Sequence, residues 1–431
     1  MDDLKQLIEG RAARVAVIGQ GYVGLPLAMA FSQAGFRVTG LEADPEKVTA
    51  LNEGRSYIPD IADGSLREAL SRGYQATCDP TKLGEADAIL ITVPTPYTKT
   101  KQPDMTYVQQ ASRAVSAHLR PGQLVILEST TYPGTTEELL LPELESRGLK
   151  GGADFEVAYS PERIEPGNRV FGLPNTPKVV GGMTPRATEL AAALYGTIVE
   201  RVVRVSSPAA AEMTKLLENT YRHVNIALAN EMAMLCNRMG INVWEVIEAA
   251  SSKPFGFSAF FPGPGVGGHC IPIDPYYLVW KAQENETVAR LVELAGQIND
   301  RMPDWVVERV ADLLNDRGRS LRGSSILLVG VSYKKDIPDL RESPALKVLE
   351  KLHQKGAHLS YHDPMVASLP WHYRGLHSVP LSAETLAQAD CVVLLTDHSQ
   401  LDRELLVRHA PVVLDTRNSL KEFRQTNVVY L

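Results

Sequence analysis

The stretch "VAVIGQGYVGLPLA", residues 15–28, restricts the fold more than any other part of this sequence. An apolar run ends in Gly19, Gly21 and Gly24, spaced as GxGxxG, and a helical pattern follows at once. Glycines at this spacing permit a tight strand-to-helix turn and let the backbone approach a pyrophosphate at a helix N-terminus. Alone, the motif is equally explained as a ligand-free glycine turn. Here Glu42 closes the next apolar run, about twenty residues on, where a carboxylate can hold ribose hydroxyls. Such a carboxylate repels a 2′-phosphate, so the pair favours NAD over NADP. Asp44 is a rival for that role, or the cap of the next helix.

The runs "RVAVIG" (14–19), "RVTGLE" (37–42), "DAILITVP" (87–94), "GQLVILEST" (122–130) and "FEVAYSP" (155–161) read as buried parallel strands. Helical patterns at 22–34 and 105–118 separate them, the rhythm of a doubly wound α/β domain. From Ser207 the rhythm stops. Residues 207–240 predict one long helix with proline at its start and glycine at its end, and further helix is expected at 243–250 and 287–316. The irregular, apolar stretch "GPGVGGHCIPIDPYYL" (263–278) interrupts this helical region and reads as loop throughout. Strand signals return at 324–333, 358–364, 389–397 and 411–417. The expected fold is therefore α/β, with two Rossmann-like doubly wound domains joined by a helical central domain. The boundaries fall at 1–206, 207–318 and 319–431.

A net charge of −7 excludes a general field for nucleic acid, so any anionic ligand must be held by local groups. No apolar run approaches a membrane span, and the acidic start "MDDLKQLIEGRAAR" does not read as a signal peptide. Cys78, Cys236, Cys270 and Cys391 are far apart and form no CxxC pair, which argues against a disulfide framework and for a cytoplasmic protein.

Four further stretches carry groups suited to chemistry. Cys270 in "GGHCIPID" is either an inert structural thiol or a nucleophile that rigid flanking residues expose. A metal reading of His269–Cys270 lacks a second ligand pair. With a dinucleotide site, a reactive thiol points to oxidation through a thioester. "AYSPERIEPGN" (158–168) places Glu162 and Glu165 after a strand end, as a general base or simply as a solvated loop. Lys215 and Asn219 share one face of the long helix with Glu212 and His223. A surface face is the default explanation; oxyanion stabilisation is the other. In "YKKDIPDLRESPAL" (333–346), Lys334, Lys335 and Arg341 form a phosphate site or an exposed charged loop.

Taken in order, these stretches resemble the UDP-glucose/GDP-mannose dehydrogenase family over nearly the whole chain. The match includes "EMTKLLENTYR" (212–222) and "STTYPGT" (129–135). The resemblance implies a four-electron oxidation of a nucleotide sugar's primary alcohol to a carboxylate, with two NAD reduced. It assigns Cys270 as the nucleophile, Asp274 to proton transfer or water, Lys215 and Asn219 to the reacting oxygen, Glu162 to thioester hydrolysis and Thr131 to water placement. Gly19, Gly21, Tyr22, Val23, Gly24, Glu42, Thr95, Thr131 and Arg341 fall to the cofactor. Glu165, Lys215, Asn219, Gly267, Lys334 and Arg417 fall to the UDP-sugar, and no metal is expected. Many relatives carry Asp where this chain has Glu42.

Within the family, "KPFGFSAFFPGPGVGGHCIPIDPYYL" (253–278) resembles the branch acting on UDP-N-acetylglucosamine; UDP-glucose and UDP-N-acetylmannosamine stay open as substrates. A homodimer or larger homo-oligomer is expected through the long helix, which could instead be buried within one subunit. Two competing readings are a two-electron NAD enzyme of the hydroxyacid type and a non-catalytic nucleotide-sugar sensor.

Overall fold

A computed structural model describes residues 2–58, 60–98, 101–163, 168, 170–373, 375–423 and 425–431. The chain divides into two compact units, Met1–Glu218 with Tyr276–Thr287, and Asn219–Pro275 with Val288–Leu431.

The first unit is built on an eight-stranded sheet. Its strands are β1 (Arg14–Ile18), β2 (Arg37–Leu41), β3 (Gln75–Thr77), β4 (Ala88–Ile91), β5 (Leu124–Leu127), β6 (Glu156–Tyr159), β7 (Lys178–Gly182) and β8 (Val202–Arg204). They lie in the order β3-β2-β1-β4-β5-β6-β7-β8. The chain reverses its winding between β1 and β4, where ligands bind in doubly wound folds. Strands β4, β5 and β6 are buried at every position, hence the unbroken apolar runs of β4 and β5; in β6 the buried set includes Glu156. Each fully buried leucine among them contributes about 1.5–3 kcal/mol relative to exposure. All pairings are parallel except β6 with β7, which run antiparallel with Ala158 opposite Gly182. That departs from the all-parallel expectation.

The second unit holds β9 (Ser325–Val329), β10 (His358–His362), β11 (Cys391–Leu394), β12 (Val413–Asp415) and β13 (Val428–Tyr430), all parallel, in the order β10-β9-β11-β12-β13. Helices Val243–Ser251, Arg290–Asn315 and Pro344–Gln354 pack in its core with Trp244, Trp305, Val306 and Leu349.

The long helix runs Pro208–Met239 and ends before Gly240, which adopts φ +68°. One expectation is corrected: "DPYYL" is not loop but the first turn of helix Asp274–Glu284. Proline stops a helix only where its missing N–H is needed, and in the first turn it is not.

Candidate active site

In the first unit, the assigned residues follow the carboxyl ends of adjacent strands. Gly19 follows β1, Glu42 β2, Thr95 β4, Thr131 β5 and Glu162 β6. The glycine turn is built from backbone sterics. Gly19 adopts φ +88°, and a Cβ on Gly24 would stand 1.8 Å from the Gly19 carbonyl oxygen. Thr92 Oγ1 donates to the carbonyls of Ile18 (2.8 Å) and Gly19 (2.9 Å), which pins the turn to β4. At Gly21 a Cβ would meet nothing within 4 Å. That open side is what a pyrophosphate needs, so the turn fits NAD.

Glu42 reaches back to the same turn. Its carboxylate accepts from the Gln20 N–H at 3.1 Å, and from those of Ala43 (3.0 Å) and Asp44 (3.2 Å). Three backbone donors fix it at the strand end with lone pairs to spare for ribose hydroxyls. Asp44 takes the other role weighed for it: it caps Pro45–Asn52 by accepting from the Glu46 N–H at 2.9 Å. Tyr22 is half exposed at the turn, and Val23 precedes the first helical residue, Gly24. The Thr95 carbonyl accepts from the hydroxyl of the buried Tyr277, which also donates to Pro96 O at 3.0 Å.

Thr131 is fully buried, and its Oγ1 has no hydrogen-bond partner among the described residues. A buried orphan hydroxyl at a strand end is the mark of a missing ligand or water. Glu162 is partly buried, and its charge helps raise the pKa of Glu128 and Tyr195. Burial is the larger cause for both. Glu128 is enclosed with Lys178, which forms an ion pair with it, and with Tyr195, whose hydroxyl donates at 2.5 Å. Glu165 lies outside the described residues.

The surface reading of the long helix's polar face is overturned. Glu212, Lys215, Asn219 and His223 are 0, 7, 7 and 2 % exposed. Glu212 accepts from Gly134 N (2.6 Å), Thr136 N (2.9 Å) and Thr136 Oγ1 (2.7 Å), tying down the segment that follows Thr131. Burial pushes its carboxyl up to about 7 against those donors.

In the second unit, three sequence motifs come together. The Cys270 loop rests on the 333–344 segment. Gly268 N donates to Arg341 O at 3.0 Å, and the space a Cβ would take on Gly267 is filled by Pro344, Tyr333 and the Glu342 carbonyl. The glycine expected to admit substrate therefore admits neighbouring chain on that side. Gly263 N donates to the buried Asn230 Oδ1 at 3.0 Å, and Arg417 Nη1 lies 2.8 Å from where a Gly263 Cβ would stand. Arg417 Nε donates to Leu395 O at 2.7 Å. The Arg341 guanidinium pairs with Asp339 at 2.6 Å. Lys334 follows β9, with its carbonyl accepting from Ser332 Oγ at 3.2 Å.

Cys270 is partly buried, and its carbonyl accepts from Ile273 N (3.0 Å) and Asp274 N (2.8 Å). It thus begins the turn that leads into helix Asp274–Glu284. Asp274 is buried and accepts from Asn219 Nδ2 at 2.5 Å. His269 is held below the ordinary histidine value by burial and then by Arg341, so it is a neutral neighbour of the thiol.

The roles of Asn230 and of the Glu128–Lys178 pair carry no sequence signal, since a buried amide or ion pair looks like any polar residue.

Comparison with known proteins converges on one family. The description "UDP-glucose/GDP-mannose dehydrogenase family" matches as NAD binding domain over residues 13–199, central domain over 209–301 and UDP binding domain over 327–422. The chain is 40% identical over 418 residues to the NDP-N-acetyl-D-galactosaminuronic acid dehydrogenase of Ralstonia nicotianae, covering 94% of this chain and 95% of the relative. It is 40% identical to the UDP-N-acetyl-D-mannosamine dehydrogenase of Escherichia coli K12, covering 90% and 94%. A solved UDP-D-ManNAc dehydrogenase from Pyrococcus horikoshii superposes with a TM-score of 0.88 at 35% identity, covering 97% and 98%. This chain belongs to the UDP-glucose/GDP-mannose dehydrogenase family, and it is an NAD-dependent UDP-sugar dehydrogenase.

Proposed function

We propose that the chain oxidises the primary alcohol of a UDP-2-acetamido sugar to the carboxylate in two oxidation steps, with Cys270 as covalent anchor. The supporting observation is the setting of Cys270: a thiol in the turn that leads into a helix, in a loop docked at Gly263, Gly267 and Gly268, with buried Asp274 tied to Asn219. The first α/β region, 1–206, takes NAD. Residues 207–318 carry the thiol and the dimer contact, and 319–431 take the UDP-sugar. NAD, when bound, takes up a hydride in each oxidation step.

Cys270 adds to the aldehyde carbon to form a thiohemiacetal, which keeps the half-oxidised sugar from leaving. Lys215 and Asn219 stabilise the oxygen that gains charge. Loss of the second hydride leaves a thioester. Glu162 takes a proton from water placed by Thr131; the hydroxide attacks, the C–S bond breaks, and the thiolate is restored as the carboxylate leaves. Asp274, bonded to Asn219, moves protons beside the thiol. Lys334, Arg417 and Glu165 hold the UDP-sugar, and Arg341 lies toward the cofactor.

An acetamido group is common to the sugars in the names of all three relatives above. The stretch before Cys270 resembles the branch acting on UDP-N-acetylglucosamine, whereas those names give manno and galacto forms. NADH yield per mole of UDP-N-acetylglucosamine, UDP-N-acetylmannosamine, UDP-N-acetylgalactosamine and UDP-glucose decides. Two NADH per mole on one acetamido sugar is expected, with Cys270→Ala inactive. One NADH per mole, full turnover by Cys270→Ala, or a preference for UDP-glucose overturns the reading.

The long helix also presents Leu217, Tyr221, Leu228, Leu235 and Met239 exposed, at helical spacing. A second copy of the chain covers this stripe in the reading proposed here; light scattering at the monomer mass would refute it. Among the described residues no helix is long and apolar enough to cross a membrane, and catalysis in the cytoplasm is part of the same proposal.

A further inference from the structure

The carboxyl edge of the second sheet holds a buried cluster that the proposed chemistry leaves unused. His398 follows β11 and is 1 % exposed. Asp336 N donates to His398 Nδ1 at 3.0 Å. A backbone N–H can donate only to a ring nitrogen that carries no proton, so Nδ1 is the acceptor and the imidazole proton sits on Nε2. Nε2 lies 3.2 Å from Asp363 Oδ2 and 3.0 Å from Ser332 Oγ. The Asp363 carboxylate is itself immobilised. Its Oδ2 accepts from Val331 N (2.7 Å) and Ser332 N (3.2 Å), and its Oδ1 from Met365 N (2.8 Å) and Val366 N (3.1 Å). The ring is therefore locked in one orientation and one tautomer.

What this ring holds is a turn. Asp336 adopts φ +58°, a left-handed conformation uncommon for a residue with a Cβ, though Asp tolerates it better than most. The neighbouring anchors come from the same strand end. Thr396 Oγ1 donates to Ser332 O at 2.6 Å, and the Asp336 carboxylate accepts from Ser399 N (2.7 Å) and Ser399 Oγ (2.6 Å). The turn lies in the loop that carries Lys334. Its far limb supplies the Arg341 carbonyl that receives Gly268 N, and Tyr333 at its start fills the space beside Gly268, two residues before Cys270.

We propose that His398 is a positioning residue for the UDP-sugar: its Nδ1 holds the 332–341 loop in the conformation that presents Lys334 to the diphosphate and supports the thiol loop. The proposal rests on the assignment of Lys334 to the substrate made above. His398 touches no reacting atom in this account. A histidine that merely fills space would need only its ring, whereas this one needs an acceptor at the place of Nδ1.

The two amide replacements separate these cases. Asn puts its Oδ1 where Nδ1 stands and can still receive Asp336 N. Gln reaches the place of Nε2 and leaves Asp336 N without its acceptor. UDP affinity is measured by calorimetry, and KM for NAD by kinetics, on the full chain. His398→Ala and His398→Gln are expected to weaken UDP binding about tenfold, the worth of one buried hydrogen bond. His398→Asn should stay within about threefold of the unchanged protein, with KM for NAD constant throughout.

UDP binding unchanged in His398→Ala overturns the proposal. So do equal losses in the Asn and Gln variants, or KM for NAD rising in step with the loss of UDP affinity. If His398→Ala does not fold, the Asn and Gln pair still decides. If the unchanged protein binds UDP but oxidises no UDP-sugar, the proposed function fails while the UDP affinities still judge His398.

Discussion

The two glycine-rich segments of this enzyme look alike as text and do opposite things. In the turn from Gly19 to Gly24, two glycines are needed for the chain to close on itself, Gly19 at φ +88° and Gly24 against the Gly19 carbonyl, while Gly21 faces open space. In the loop before Cys270, the space beside Gly267 and Gly268 is taken by Tyr333, Pro344 and the Glu342 carbonyl. The first segment keeps room for a ligand; the second spends its room on docking a nucleophile against the chain's own frame. A glycine thus reports that something comes close, not what. Gly134 shows a further use: it adopts φ +100° while its N–H is held by buried Glu212.

The contrast can be broken by substitution. The largest effect is expected for Gly268→Ala, which needs φ +92° and sets a Cβ 2.8 Å from the Tyr333 ring. It should destabilise the second unit by about 4 kcal/mol, read by denaturant unfolding, and lower the rate at which iodoacetamide inactivates the enzyme. Unchanged stability would mean that the loop is not docked as described.

Glu212→Gln comes next. The Glu212 carboxyl rises from 4.5 to about 7, so between those values the native state keeps a proton that the unfolded chain has lost. Stability must then fall as pH rises through that window, by about 3 kcal/mol at most. The gap in melting temperature between the unchanged protein and Glu212→Gln should move in favour of the variant from pH 4.5 to 7, then level off. A gap independent of pH would show that the donors around Glu212 outweigh its burial.

The smallest effect is expected for Gly21→Ala. It should raise KM for NAD about tenfold and leave melting unchanged, because the added methyl occupies ligand space alone. A fall in melting temperature would erase the distinction between the two segments.

Much of this arrangement was legible in the sequence, for identifiable reasons. Strands β1, β4, β5 and β6 are buried on both faces and so wrote themselves as apolar runs. Strands β3, β8 and β13 have only three residues each, and β7 ends in two glycines, too little pattern to stand out. The start of helix Asp274–Glu284 was hidden by a proline read as a breaker. The face bearing Glu212, Lys215, Asn219 and His223 had visible helical spacing, yet spacing cannot say whether polar groups meet water or a site. Their burial is tertiary information. So is the meeting of the Cys270 loop with "KKDIPDLRES", segments some seventy residues apart, which no local pattern could foretell.

The enclosed pair of Glu128 and Lys178 has a bearing on how this chain can change over time. Glu128 follows β5, Lys178 opens β7, and both are buried. Losing either partner alone strands a charge in the interior at a cost of about 3–5 kcal/mol, a large share of what holds such a domain together. Replacing both with apolar residues of matching size costs far less. The two positions are therefore a lock with two keys. Sequence drift can pass this point only by a paired exchange, and libraries that vary one position at a time will find both immovable.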